Sequence, residues 1–118
     1  MVEMFAGAQY YNKPMDAWDV SKVRASPWAP YVVGGMYKMF NGASLFNQPL
    51  VDWNVEGLKY MDEMFMDASS FQQDLCSWGP QMDPESVVTD AFRNTACPNA
   101  SDPILESDPP TPFCFACE

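Results

Sequence analysis

Residues 39–78 read MFNGASLFNQPLVDWNVEGLKYMDEMFMDASSFQQDLCSW, and this stretch decides the fold. Its opening, MFNGASLFNQPL (39–50), aligns without gaps with MFMDASSFQQDL (64–75) and with MFAGAQYYNKPM (4–15) upstream. A tryptophan follows each copy three residues later, at Trp18, Trp53 and Trp78. The offset is 35 from Met4 to Met39 and 25 from Met39 to Met64, and the tryptophans keep both. A degenerate fourth copy begins at Ala91-Phe92, 27 residues after Met64-Phe65. The period is therefore 25, with ten extra residues in ASPWAPYVVG (25–34) and two between Trp78 and Ala91. A period in this range signals stacked units, because one such unit cannot bury its own apolar face.

Each unit divides by periodicity. Leu58, Met61, Met64, Phe65 and Ala68 are spaced by three and four, the mark of one helix face. Ser21 stands at the start of such a run, and Asp83 with Pro84 reads as an N-cap and first helical position. The second half alternates: Trp53 and Val55 are apolar, Asp52 and Asn54 polar, as in a short half-buried strand. Phe46-Asn47-Gln48-Pro49 makes the turn between the halves.

One strand plus one helix per period predicts an α/β solenoid like the leucine-rich repeat, LxxLxL with Trp in the middle slot. About four units stack over residues 1–97, the insert at 25–34 leaves as a loop, and residues 98–118 form an acidic, Pro-rich, Cys-containing tail. The expected core repeats as Met4, Phe5 and Trp18, then Met39, Phe40, Phe46, Leu50 and Trp53, then Met64, Phe65, Phe71, Leu75 and Trp78. Because Met1 falls inside a repeat, the chain reads as truncated at its N-terminus, and no signal peptide is visible.

The pattern MFxxAxxFNQPLxxWxV followed by Met-x-x-Met-Phe resembles the BspA-like leucine-rich-repeat surface proteins, the mycoplasma lipoprotein type of repeat. The resemblance covers about residues 4–97. It implies a right-handed stack and a protein displayed on the cell surface or secreted, used for adhesion or for contact with other cells. The short repeat array, the insert and the cysteine-bearing tail depart from that family pattern.

All four cysteines lie late, at Cys76, Cys97, Cys114 and Cys117. They predict a disulfide-tied cap on the last unit. Three pairings are open. Cys76 with Cys97 is preferred because the two bracket the last unit, and Cys114 then pairs with Cys117; a crossed arrangement would staple the tail to the stack. Residues 98–113, with five prolines and three acids, read as extended and poorly ordered. Asn99-Ala100-Ser101 has the form of an N-glycosylation acceptor, and with the clustered cysteines it favours an extracellular location.

Charge and composition narrow the function. Residues 1–59 balance five bases with five acids, whereas residues 60–118 set Arg93 against eleven acids and carry the whole net charge of −10. Nucleic acid is a poor partner for such a surface. No apolar run approaches the length of a membrane span. No histidine is present, which removes the usual neutral-pH base, and no glycine-rich phosphate loop or calcium loop appears. The expectation is a chain that is not an enzyme, needs no cofactor and binds a protein or glycan. Asp16, Asp19, Asp52 and Asn54 are the exposed strand positions of the expected binding face. An intracellular interaction scaffold and a small zinc- or calcium-binding domain are the alternatives.

Overall fold

The computed structural model describes residues 4–15, 36–56 and 58–117. Trp18, Asp16, Asp19, Ser21 and the insert at 25–34 lie outside these residues. The described repeats follow one another as coils: coil 1 (4–15), coil 2 (36–56), coil 3 (58–82) and coil 4 (83–97), then a tail (98–117).

The expected strand-plus-helix units do not form. Among the described residues, regular structure is confined to the 3-10 helix Cys76–Gln81, and β pairing to isolated bridges such as Tyr60 with Val87. The α/β, leucine-rich-repeat-type solenoid is therefore corrected to a ladder of stacked turns. The run from Leu58 to Ala68 is buried at the expected positions, yet its backbone is a chain of i→i+3 turns. In coil 3 the amides of Met64, Ala68 and Phe71 donate to the carbonyls of Met61, Phe65 and Ala68. In coil 2 those of Met39, Ala43 and Phe46 donate to Met36, Phe40 and Ala43. Each turn starts and ends on a core residue and sends its two middle residues outward. That gives the apolar spacing of a helix without its i→i−4 bonds.

Left-handed residues keep the turns from continuing as a helix. Gly7, Gly42, Asp67 and Asn94 occupy the same repeat position, and all have positive φ, from 59° to 75°. Gly, Asp and Asn are the residue types that reach this region at least cost. Lys38, Glu63 and Asp90 do the same at a second position, with φ of 54° to 56°.

The remaining backbone amides join the coils. Met36, Lys38, Phe40 and Gly42 donate to the carbonyls of Tyr60, Asp62, Met64 and Met66 at 2.8–3.2 Å. Met61, Glu63, Phe65 and Asp67 repeat this toward Val87, Thr89, Ala91 and Arg93 at 2.8–3.0 Å. Every second amide thus reaches the next coil, which satisfies backbone groups that an irregular buried chain would leave unpaired.

Inside, equivalent rings stack. Phe5, Phe40, Phe65 and Phe92 form one file with centroids 5.3, 5.4 and 5.6 Å apart. Tyr11, Phe46 and Phe71 form a second, at 6.1 and 5.9 Å. Trp53 and Trp78 lie 6.2 Å apart and nearly parallel. Each buried indole N–H also finds an acceptor one coil back: Trp53 Nε1 donates to the Met15 carbonyl at 2.9 Å, Trp78 Nε1 to Leu50 at 3.0 Å. Trp53 and Val55 are buried and Asp52 and Asn54 exposed, so the alternation holds, but no ladder pairs them. The Val55 amide donates instead to Gln81 Oε1 at 2.9 Å.

The tail is not loose. Phe113 is fully buried against Phe92, with ring centroids 6.3 Å apart. Its carbonyl accepts from the Leu75 amide at 3.2 Å. At Gly79 a Cβ would stand 3.1 Å from the Pro110 carbonyl and 3.2 Å from the Phe113 ring, so the tail is seated closely on the last coil. The apolar Phe113 and Cys114 override the Pro-rich composition around them.

Candidate functional site

The outer surface carries side-chain columns at the repeat spacing. Asn47 links two coils: its amide donates to Asn12 Oδ1 at 3.0 Å, and its own Oδ1 accepts from the Gln72 amide at 2.9 Å. Gln48 and Gln73, one position on, reinforce this. Gln48 Nε2 reaches Asn12 Oδ1 at 2.8 Å, and Gln73 Nε2 reaches Asn47 Oδ1 at 2.9 Å. Ser69 Oγ donates to the Ser44 carbonyl, and Ser44 Oγ to that of Gln9. The FNQP turn of the sequence is thus a ladder of amide side chains. The signal for it was the recurrence of Asn12, Asn47 and Gln72 at one position, which the reading of a simple turn passed over.

Of the expected binding face, Asp52 and Asn54 are both exposed. Asn54 turns its Oδ1 back to the Glu56 amide at 3.1 Å, which closes a local Asx turn. Ser77 spends its hydroxyl on the Val51 carbonyl. Asp16 and Asp19 lie outside the described residues, so the structure brings together only the coil 2 part of that face.

The cysteines pair differently from the preferred reading. Cys76 bonds Cys117 across a separation of 41, and Cys97 bonds Cys114 across 17, one bridge nested inside the other. Bracketing of the last unit by Cys76 and Cys97 fails because the tail folds back and brings its own cysteines to each of them. All four sulfurs are bonded. Asn99 sits in this cap, half-buried. Its amide donates to the Cys114 carbonyl at 3.1 Å, and its Oδ1 accepts from Ser101 Oγ at 2.9 Å.

A family model described as "Mycoplasma protein of unknown function, DUF285" matches residues 1–101. The chain belongs to that family. No curated protein and no solved structure matches it. The match reaches from coil 1 through the last coil and into the start of the tail, so the DUF285 pattern and the stacked coils coincide.

Electrostatics of this DUF285 chain centre on Asp62. Burial pushes its carboxyl above the ordinary range; its own backbone hydrogen bond lowers it, the Glu63 carboxylate raises it and Lys38 lowers it. Its Oδ1 is buried without a hydrogen-bond partner. Among the described residues, no three His, Cys, Asp or Glu side chains gather as a metal-ligating group. No described helix is long and apolar enough to cross a membrane. The described surface carries repeated polar columns over a stacked interior.

Proposed function

We propose that the chain is a non-catalytic interaction module, displayed on the cell surface or secreted, that binds a protein or glycan. The observation that carries this reading is the nested pair of disulfides, Cys76–Cys117 and Cys97–Cys114, which fastens the tail over the last coil. Such bonds persist in oxidising surroundings and not in a reducing cytosol. Membership of the DUF285 family supports the reading, as does the resemblance of the FNQPL and Met-x-x-Met-Phe motifs to BspA-like surface proteins. The lack of histidine supports a non-catalytic role. The acidic balance of residues 60–118, with Asp52 and Asn54 exposed beside it, favours a basic or hydroxyl-rich partner.

The test is made on intact cells that carry the protein. A membrane-impermeant amine label, followed by alkylation without reduction and mass measurement, reports exposure and cysteine state together. Surface labelling, or recovery from the medium, with no alkylated cysteine is expected. Protection of the protein until lysis, or four alkylated thiols, would overturn the proposal in favour of an intracellular scaffold.

A further inference from the structure

Asn99-Ala100-Ser101 is the one triplet of its form in the chain, and its middle place holds alanine, where proline would disqualify it as an acceptor. The structure sets it on an arch between two anchors. On one side Cys97 is bonded to Cys114, and the Cys97 amide donates to Thr95 Oγ1 at 3.3 Å. On the other, Pro103 is buried and Asp102 Oδ1 accepts from the Asp90 amide at 2.8 Å. Between these anchors Pro98 and Ser101 are exposed, and Asn99 and Ala100 half-buried.

Two polar groups of Asn99 are engaged. Its main-chain amide donates to the Cys114 carbonyl at 3.1 Å, and its Oδ1 accepts from Ser101 Oγ at 2.9 Å. Its Nδ2 carries two further donors, and neither has an acceptor among the described residues. Among those residues, Asp62 Oδ1 is the one buried side-chain polar atom without a partner, so Nδ2 is not buried but meets solvent. The bond from Ser101 fixes which end of the carboxamide turns in and leaves the nitrogen outermost. An unpartnered donor there costs nothing, because water satisfies it, and a bulky polar substituent on it displaces no contact.

We infer that Asn99 is an N-glycosylation site whose Nδ2 carries an oligosaccharide. Such a site presupposes the secreted or surface-displayed chain proposed above, because glycan transfer and lasting disulfides belong to the same non-cytosolic route. In the transfer, Nδ2 attacks C1 of the first sugar of a lipid-linked diphosphate oligosaccharide. The C1–Nδ2 bond forms and the C1–O bond to the diphosphate breaks. The lipid diphosphate leaves with that electron pair, and one Nδ2 proton passes to a base of the transferase. The modified side chain keeps its Oδ1, and the main-chain amide keeps its bond to Cys114, so the Cys97–Cys114 bridge closes beside the glycan without rearrangement. The sugar then stands on the capped end of the stack.

The test uses the protein from the cells that make it, or from their medium. Thiols are alkylated before any reduction, and peptides are measured by mass with and without a peptide-N-glycosidase in heavy-oxygen water. The peptide holding Asn99 should be heavier by an oligosaccharide, and treatment should leave an aspartate with one heavy oxygen in its place. Ser101→Ala, a change at an exposed position, should abolish the glycan with both bridges still formed, and Ser101→Thr should retain it. A bare Asn99 in protein whose two bridges are intact overturns this inference and leaves the secreted reading standing. A bare Asn99 beside four alkylated thiols overturns that reading and this inference with it. A glycan kept by Ser101→Ala, or lost from Ser101→Thr, overturns the assignment to this triplet.

Discussion

Replacing Asn47 with alanine should unpick one junction of the stack while leaving the other intact. Its Oδ1 accepts from the Gln72 amide and from Gln73 Nε2, both at 2.9 Å; alanine removes both bonds. The bond from its own amide to Asn12 Oδ1 survives, because the backbone supplies that donor. Two hydrogen bonds at a half-buried position amount to about 2 kcal/mol. For a domain of this size that corresponds to a fall of about 10 °C in Tm. Asn47→Asp keeps an acceptor oxygen in the same place and should recover most of the loss. The assay is thermal unfolding of the oxidised protein, followed by tryptophan fluorescence, with a urea titration to check a single transition. If Asn47→Ala melts within about 2 °C of the parent, or if aspartate is as damaging as alanine, the amide column does not hold the coils together.

Removal of the outer bridge by Cys76→Ser with Cys117→Ser opens a loop of 41 residues and should cost about 4 kcal/mol by chain entropy, read as a drop in the urea midpoint. Gly42→Ala should cost about 1 kcal/mol because φ there is +75°, not for want of room, since the nearest atom to a new Cβ is 3.6 Å away; chemical denaturation measures it. Asp62→Asn should stabilise the protein at neutral pH. The folded carboxyl is raised mainly by burial, so its favourable contribution is present below the unfolded pKa and lost as pH rises through the folded one. The variant's advantage should therefore be full at pH 7 and vanish below the ordinary carboxylate range, which paired melts at the two pH values will show.

The sequence disclosed which side chains are inside better than it disclosed the backbone that puts them there. Leu58, Met61, Met64, Phe65 and Ala68 are all buried as their spacing implied. Successive i→i+3 turns and an α-helix both return an apolar residue to one side every three or four positions, so periodicity alone does not separate them. Residue type did carry the distinction. Gly7, Gly42, Asp67 and Asn94 recur at one place, and all four are poor helix formers that tolerate positive φ. The tail was misjudged for a related reason. Its prolines and acids argued for an extended chain, but Phe113 supplies a buried ring, and its return decides which cysteines meet. On the surface, the exposure of Asp52 and Asn54 was legible from simple alternation. The Asn12–Asn47–Gln72 column was not, because it depends on which coil each amide faces.

Covalent ties sit at one end of the molecule only, between the last coil and the tail. Among the described coils, coil 1 lies farthest from those ties, so opening should advance from the Phe5–Tyr11 side toward the fastened coil. Deuterium uptake in the oxidised protein should register that direction as a gradient, quick at Phe5 and Gly7, slower at Phe40 and Gly42, slowest at Phe65 and Asp67, whose amides lie nearest the fastened end.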